Sequence, residues 1–95
     1  MTGHDPFCVE NNQIKLNDVS YCEYEGLFLH TSFNNMIGPN NTFNYNGGDG
    51  ISLLPYNEDN FVVNNEALYN TGFDIWNGGV NNKFRANTAV NTYGF

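Results

Sequence analysis

Short runs of strict apolar–polar alternation punctuate this chain. Gly50-Ile-Ser-Leu53 and Gly72-Phe-Asp-Ile75 put Ile51, Leu53, Phe73 and Ile75 on one face and Ser52 and Asp74 on the other, which is strand periodicity. Ile14-Lys-Leu16 and Phe84-Arg-Ala86 repeat the in-out-in pattern. No window carries a sustained i, i+3, i+4 apolar stripe, so helices are not expected. The runs also recur. Asn-x-(Ile/Val/Phe)-x-x-Asn is found four times, from Asn12 to Asn17, Asn35 to Asn40, Asn60 to Asn65 and Asn82 to Asn87. Glycine before a large apolar residue keeps step at Gly26-Leu27, Gly50-Ile51, Gly72-Phe73 and Gly94-Phe95, with the glycines 24, 22 and 22 residues apart. Two markers sharing one period define a repeat architecture.

A unit of 22–24 residues with two or three short strands and tight Asn/Gly corners fits one coil of a parallel β-helix. Successive coils then stack at the inter-strand spacing of roughly 4.8 Å, so equivalent residues form ladders. Asn suits the corners because it tolerates the left-handed conformation and its amide can bond to the Asn of the next coil. The expected apolar ladder is Leu27, Ile51, Phe73 and Phe95, and it separates this chain with its nineteen Asn from a disordered Asn-rich tract. Asn46-Gly-Gly-Asp-Gly-Ile51 and Asn81-Asn-Lys-Phe-Arg-Ala-Asn-Thr-Ala-Val-Asn91 resemble the right-handed parallel β-helix superfamily, which includes pectate-lyase-like enzymes and NosD-type repeat proteins. The fold class expected is therefore all-β: a right-handed, single-stranded parallel β-helix of about four coils, with residues 1–95 as one repeat domain. Phe95 falls where a new inward strand would start and neither end offers a cap. The reading is thus a fragment of a longer solenoid, or a unit that self-associates through open ends.

Charge narrows the partners. Ten acids against three bases give a net charge of −7, which speaks against nucleic acid and anionic membranes. No apolar run is long enough for a transmembrane helix, and the first residues lack the pattern of a signal peptide. Lys15, Lys83 and Arg85 all lie in the Asn-x-x-x-x-Asn strand, whereas Asp5, Asp49 and Asp74 accompany the glycine strand. Two faces of opposite charge are expected. Cys22 shares a phase with Leu68 and Val90, which suggests a small core residue; a disulfide to Cys8 is possible on paper but not implied.

The glycine strand gathers the chemistry. Two residues after the repeat glycine the outward column reads Asp5, Phe28, Ser52, Asp74; four residues after it reads Phe7, His30, Leu54, Trp76. Glu25 and Asp49 share the corner column on adjacent coils, roughly 5 Å apart at the backbone, a spacing that suits acid/base work or a shared Ca²⁺. The catalytic candidates are Asp5, Glu25, Asp49, Asp74 and His30. Phe28, Asp74 and Trp76 are the candidate substrate contacts, because flat aromatics stack on sugar rings and carboxylates take hydroxyls. No metal-binding motif is present. The β-helix resemblance implies a sugar groove on this sheet. Gly3, Asp5 and Pro6 are also similar to the Gly-Phe-Asp-Pro-His-Glu motif of mannuronan epimerases, although Phe7 and Cys8 stand where that family has His and Glu. The expectation is a polysaccharide-binding or polysaccharide-processing module, lyase-, hydrolase- or epimerase-like if an enzyme, outside the cell or on its surface. The alternative is a non-catalytic structural or adhesion solenoid. No base shares the acid strip, which leans towards binding.

Overall fold

Pairing of the alternating runs builds the fold. The computed structural model describes residues 9, 10 and 12–95. Within them the strands are β1 (Val9–Glu10), β2 (Gln13–Ile14), β3 (Leu27–Phe33), β4 (Met36–Ile37), β5 (Ile51–Glu58), β6 (Phe61–Val63), β7 (Glu66–Ala67), β8 (Ile75–Asn77), β9 (Lys83–Arg85), β10 (Thr88–Ala89) and β11 (Thr92–Tyr93). No helix occurs among the described residues. Every pairing is parallel and joins one coil to the next. Three sheets result: a long side ordered β1-β3-β5-β8-β11, a four-stranded side ordered β2-β4-β6-β9, and a third side of β7 and β10 extended by the bridges of Asp18 to Thr42 and Thr42 to Glu66. Together they form the β-solenoid expected from the repeat, with about three turns against the four coils anticipated.

Each corner uses the same two-residue device. One residue takes φ of +54° to +64° and the next projects an asparagine amide between coils, except after Tyr21, where Cys22 follows. The left-handed residues are Asn34, Asp59 and Asn81 at the first corner, Leu16, Asn40, Asn64 and Ala86 at the second, and Tyr21, Tyr45 and Tyr69 at the third. In the ladder that follows the first corner, the backbone N–H of Asn12, Asn35 and Asn60 each donate to the side-chain oxygen of Asn35, Asn60 and Asn82, over separations of 23, 25 and 22 residues. The second ladder runs Asn17, Asn41, Asn65, Asn87. The third runs Cys22, Asn46, Asn70. The amide nitrogens donate back into the coil before, as Asn65 Nδ2 does to the Ile37 carbonyl at 2.8 Å.

These ladders revise the corner chemistry read from sequence. The ladder asparagine follows the left-handed residue instead of being it, so Asn41 and not Asn40 belongs to the second ladder. The extra residue in that coil lies at Gly38-Pro39. Gly38 has φ +129°, and a Cβ there would stand 1.8 Å from the Val63 carbonyl oxygen. Leu16 and Ala86 turn out at the corner and are exposed, so they do not complete an in-out-in run. Cys22 keeps phase with Asn46 and Asn70, not with Leu68 and Val90, and its thiol is free and half-buried.

The core is a stack of inward rows. The four-stranded side supplies Ile14, Ile37, Val62 and Phe84, the long side Leu27, Leu29, Ile51, Leu53 and Ile75, and the third side Val19, Phe43, Ala67 and Ala89. Eleven polar or charged residues are buried against nine hydrophobic ones, so hydrogen bonding fills as much of the interior as apolar contact does. No buried side-chain nitrogen or oxygen among the described residues lacks a partner.

The apolar ladder of the long side differs from expectation in its third coil. Leu27 pairs with Ile51 and Ile51 with Ile75, not Phe73. Gly26 stacks over Gly50 and Gly50 over Asp74, through Leu27 N–H to Gly50 O and Ile51 N–H to Asp74 O. Glycine is needed at positions 26 and 50 because a Cβ would fall 2.8 Å and 2.6 Å from the ladder amides of Asn46 and Asn70. The third coil is shorter, yet it keeps the 24-residue register along β8 and loses its residues afterwards, around Gly78-Gly79: Leu53 pairs with Asn77, whereas Glu58 bridges to Val80. Phe95 likewise lies outside the Leu27 row. Its ring stacks on Phe84, 4.0 Å between centroids.

Candidate functional site

The long side carries most of the residues singled out for chemistry, and the two-residue slip rearranges them. Its outward column reads Phe28, Ser52, Trp76, Tyr93. Trp76 therefore takes the row expected of Asp74. Phe28 and Trp76 are half-buried and flank Ser52, which is buried. The indole of Trp76 lies against Gly78, where there is no side chain to displace it, and stacks on Tyr93 with centroids 5.8 Å apart and planes 9° from parallel. Phe73 packs on the other side of Tyr93, also at 5.8 Å. Phe73, Trp76 and Tyr93 thus form an aromatic ledge across two successive coils of this side.

Asp74 is not on the surface. It is 4% exposed, and its carboxylate accepts four hydrogen bonds: from Asn70 N–H and Nδ2 on one oxygen, and from the Val90 and Asn91 N–H groups on the other. An ionised carboxylate accepts and cannot donate, and four N–H donors saturate it. This side chain closes the third Asn ladder and pins the last described coil. It leaves no lone pair directed at a ligand, which corrects its placement as an outward sugar contact.

Glu25 and Asp49 do share a column, as their neighbours Leu27 and Ile51 pair. The carboxylates are turned to different tasks. Asp49 Oδ1 accepts the Phe73 N–H at 2.8 Å, and the Glu25 carboxylate lies against Gly48. Both residues are half-buried. His30 sits beyond Phe28 on β3, with Nδ1 3.1 Å from Thr31 Oγ1 and its ring stacked on Tyr56 at 6.4 Å. Asp5 lies outside the described residues. The long side thus brings together Phe28, Trp76 and Tyr93 in one column and Glu25 with Asp49 in the next. Asp74 is withdrawn from both, and His30 is placed further along the strand. Among the described residues no group of three or more His, Cys, Asp or Glu comes together to hold a metal ion.

Sequence reasoning misses Tyr93 because it directly precedes Gly94, which by the glycine spacing puts it at the corner. Its row is set by a last coil that is shortened between Ala89 and Thr92, which no spacing marks: the five-residue step of Asn41 to Asn46 and Asn65 to Asn70 would set Thr92 level with Asn70, whereas it pairs with Ile75. The same step would have revealed the third asparagine ladder. A different aromatic column stands at the third corner. Tyr21, Tyr45 and Tyr69 stack face to face at 5.1 and 5.0 Å, exposed to solvent.

A family model described as a right-handed beta helix region matches residues 5–95. No curated protein and no solved structure gives a match.

Proposed function

We propose, on the premise that the chain belongs to the right-handed β-helix family, that this solenoid is a polysaccharide-recognition module. The supporting observation is the outward column of Phe28, Trp76 and Tyr93, three aromatic rings in register along the solenoid axis. The stacked pair of Trp76 and Tyr93, with Phe28 two rungs from Trp76 across Ser52, offers aromatic surface to the C–H groups of an extended glycan. The half-buried carboxylates of Glu25 and Asp49 line the neighbouring column, within reach of hydroxyl groups. Binding is favoured over turnover. Asp74 is saturated by four N–H groups, Asp49 holds a backbone amide, and His30 is engaged with Thr31 and Tyr56. On this reading the module works outside the cytoplasm, on a secreted or surface protein.

The test is a screen of the chain against neutral and acidic glycans with Trp76→Ala/Tyr93→Ala beside it, each checked for retained β-structure by circular dichroism. Binding to a glycan that falls at least about tenfold in the double variant, near 1.4 kcal/mol, supports the assignment. A folded protein that binds no glycan would leave the structural solenoid as the better account.

A further inference from the structure

The four-stranded side is the opposite of the long side in charge. One outward column reads Gln13, Met36, Phe61, Lys83; beyond the inward row, Val63 pairs with Arg85, and Lys15 follows Ile14 in the first coil. All three bases of a chain with ten acids therefore stand on one face, and each is exposed. Between them stand two exposed apolar side chains, Met36 at 37% and Phe61 at 47% exposure. A shallow open depression of about 760 Å³ lies over this patch, floored by Met36, Phe61, Val63 and Ala86, with Arg85 and Asp59 on its rims and the amides of Asn34 and Asn64 at the corners.

We propose that this face is a second ligand surface, distinct from the long side, and that it takes an extended glycan bearing anionic groups, carboxylate or sulfate. The proposal rests on the glycan reading above for its ligand class and on this face alone for its place and charge. The chemistry is assembled from four elements. Arg85 and Lys83 on the last rung pair with an anion, and Arg presents a fork matched to a planar carboxylate. Lys15 stands three rungs away, roughly 14 Å at the rung spacing, so the ligand is longer than a single sugar. Phe61 offers a ring face between them, and the corner amides meet hydroxyls. Over the depression an added peptide strand meets the face of a paired sheet, since β4 and β6 are bonded on both sides; among the described residues only β2 and β9 have a free edge. Nucleic acid is disfavoured by the overall charge of −7.

The experiment titrates the full chain with a uronate oligosaccharide, a sulfated oligosaccharide, a neutral oligosaccharide of the same length and poly-glutamate, followed by backbone chemical shifts. Arg85→Gln/Lys83→Gln and Phe61→Ala are run beside Trp76→Ala/Tyr93→Ala, with melting curves to confirm each fold. The expected result is that one acidic oligosaccharide shifts the resonances of residues 36, 61, 63 and 85, and the two acidic arms identify which anion is preferred. Arg85→Gln/Lys83→Gln lowers that affinity tenfold or more and flattens its salt dependence, Phe61→Ala lowers it as well, and Trp76→Ala/Tyr93→Ala leaves it intact. The proposal is overturned by acidic-glycan affinity unchanged in Arg85→Gln/Lys83→Gln, by poly-glutamate binding as tightly as the glycan, or by no acidic glycan binding at all. Loss of neutral-glycan binding in Trp76→Ala/Tyr93→Ala, with no acidic glycan shifting residues 36, 61, 63 and 85, would sink this face's role and leave the long side's standing.

Discussion

Asn60 ties three coils together. Its side-chain oxygen accepts from Asn35 N–H and Asn35 Nδ2 in the coil before, and its Nδ2 donates to the Ser32 carbonyl and to Asn82 Oδ1 in the coil after. It is fully buried, so no water replaces what is removed. A buried donor or acceptor left unsatisfied costs about 1–3 kcal/mol, and Asn60→Ala orphans groups on both sides. We expect a loss of about 3 kcal/mol in urea unfolding; a loss within about 0.5 kcal/mol, the range of ordinary surface changes, would refute the ladder's role. The third ladder permits the converse test. It opens at Cys22, whose N–H already donates to Asn46 Oδ1. Cys22→Asn would add the side-chain bond that Asn35 Nδ2 makes to Asn60, and we expect stability unchanged or raised by up to about 1 kcal/mol. A lower melting temperature would mean that the corner rejects an amide there.

At the level of whole strands, Asp74 decides how the last described coil is held. Its two oxygens take N–H groups from positions 70, 90 and 91, tying the lead-in to β8 to the segment just before β11. Asp74→Ala strips acceptors from four donors at once, and the expected cost is about 3 kcal/mol or more. Hydrogen exchange should quicken first at Val90 and Asn91; uniform protection in the variant would contradict this assignment. The inward row Ile14, Ile37, Val62, Phe84 was legible in the sequence because an asparagine brackets it at constant spacing. The long side was legible only for its first two coils. There the glycine marks the stacking position because the next ladder amide crowds it, but in the third coil Asp74 answers that amide itself, so Gly72 stacks on Gly48 instead. Sequence spacing reports the length of a coil and not where along it the residues are gained or lost. The candidate site changed at that point: Asp74 moved inward, Trp76 moved into its row, and on the four-stranded side Arg85 proved to line an apolar depression that no period could announce.

For the whole molecule, each ladder closes on itself at coil intervals, so a coil is the unit that can be added without disturbing the rest. Duplicating residues 35–59, the 25-residue step between two ladder asparagines, should preserve every ladder and raise the melting temperature by supplying one more stacked interface. A duplicated chain that melts lower would show that the shape of this coil, with Phe43 over Ala67, tolerates no second copy of itself. The Tyr21, Tyr45 and Tyr69 column adds an optical consequence. Three chromophores held nearly parallel at 5.0 and 5.1 Å are close enough for their transitions to couple, so their near-ultraviolet circular dichroism depends on how the coils sit on one another. The solenoid thereby carries an intrinsic gauge along its own axis, one that lengthens with each coil supplying a tyrosine and fades wherever the spacing between coils is lost.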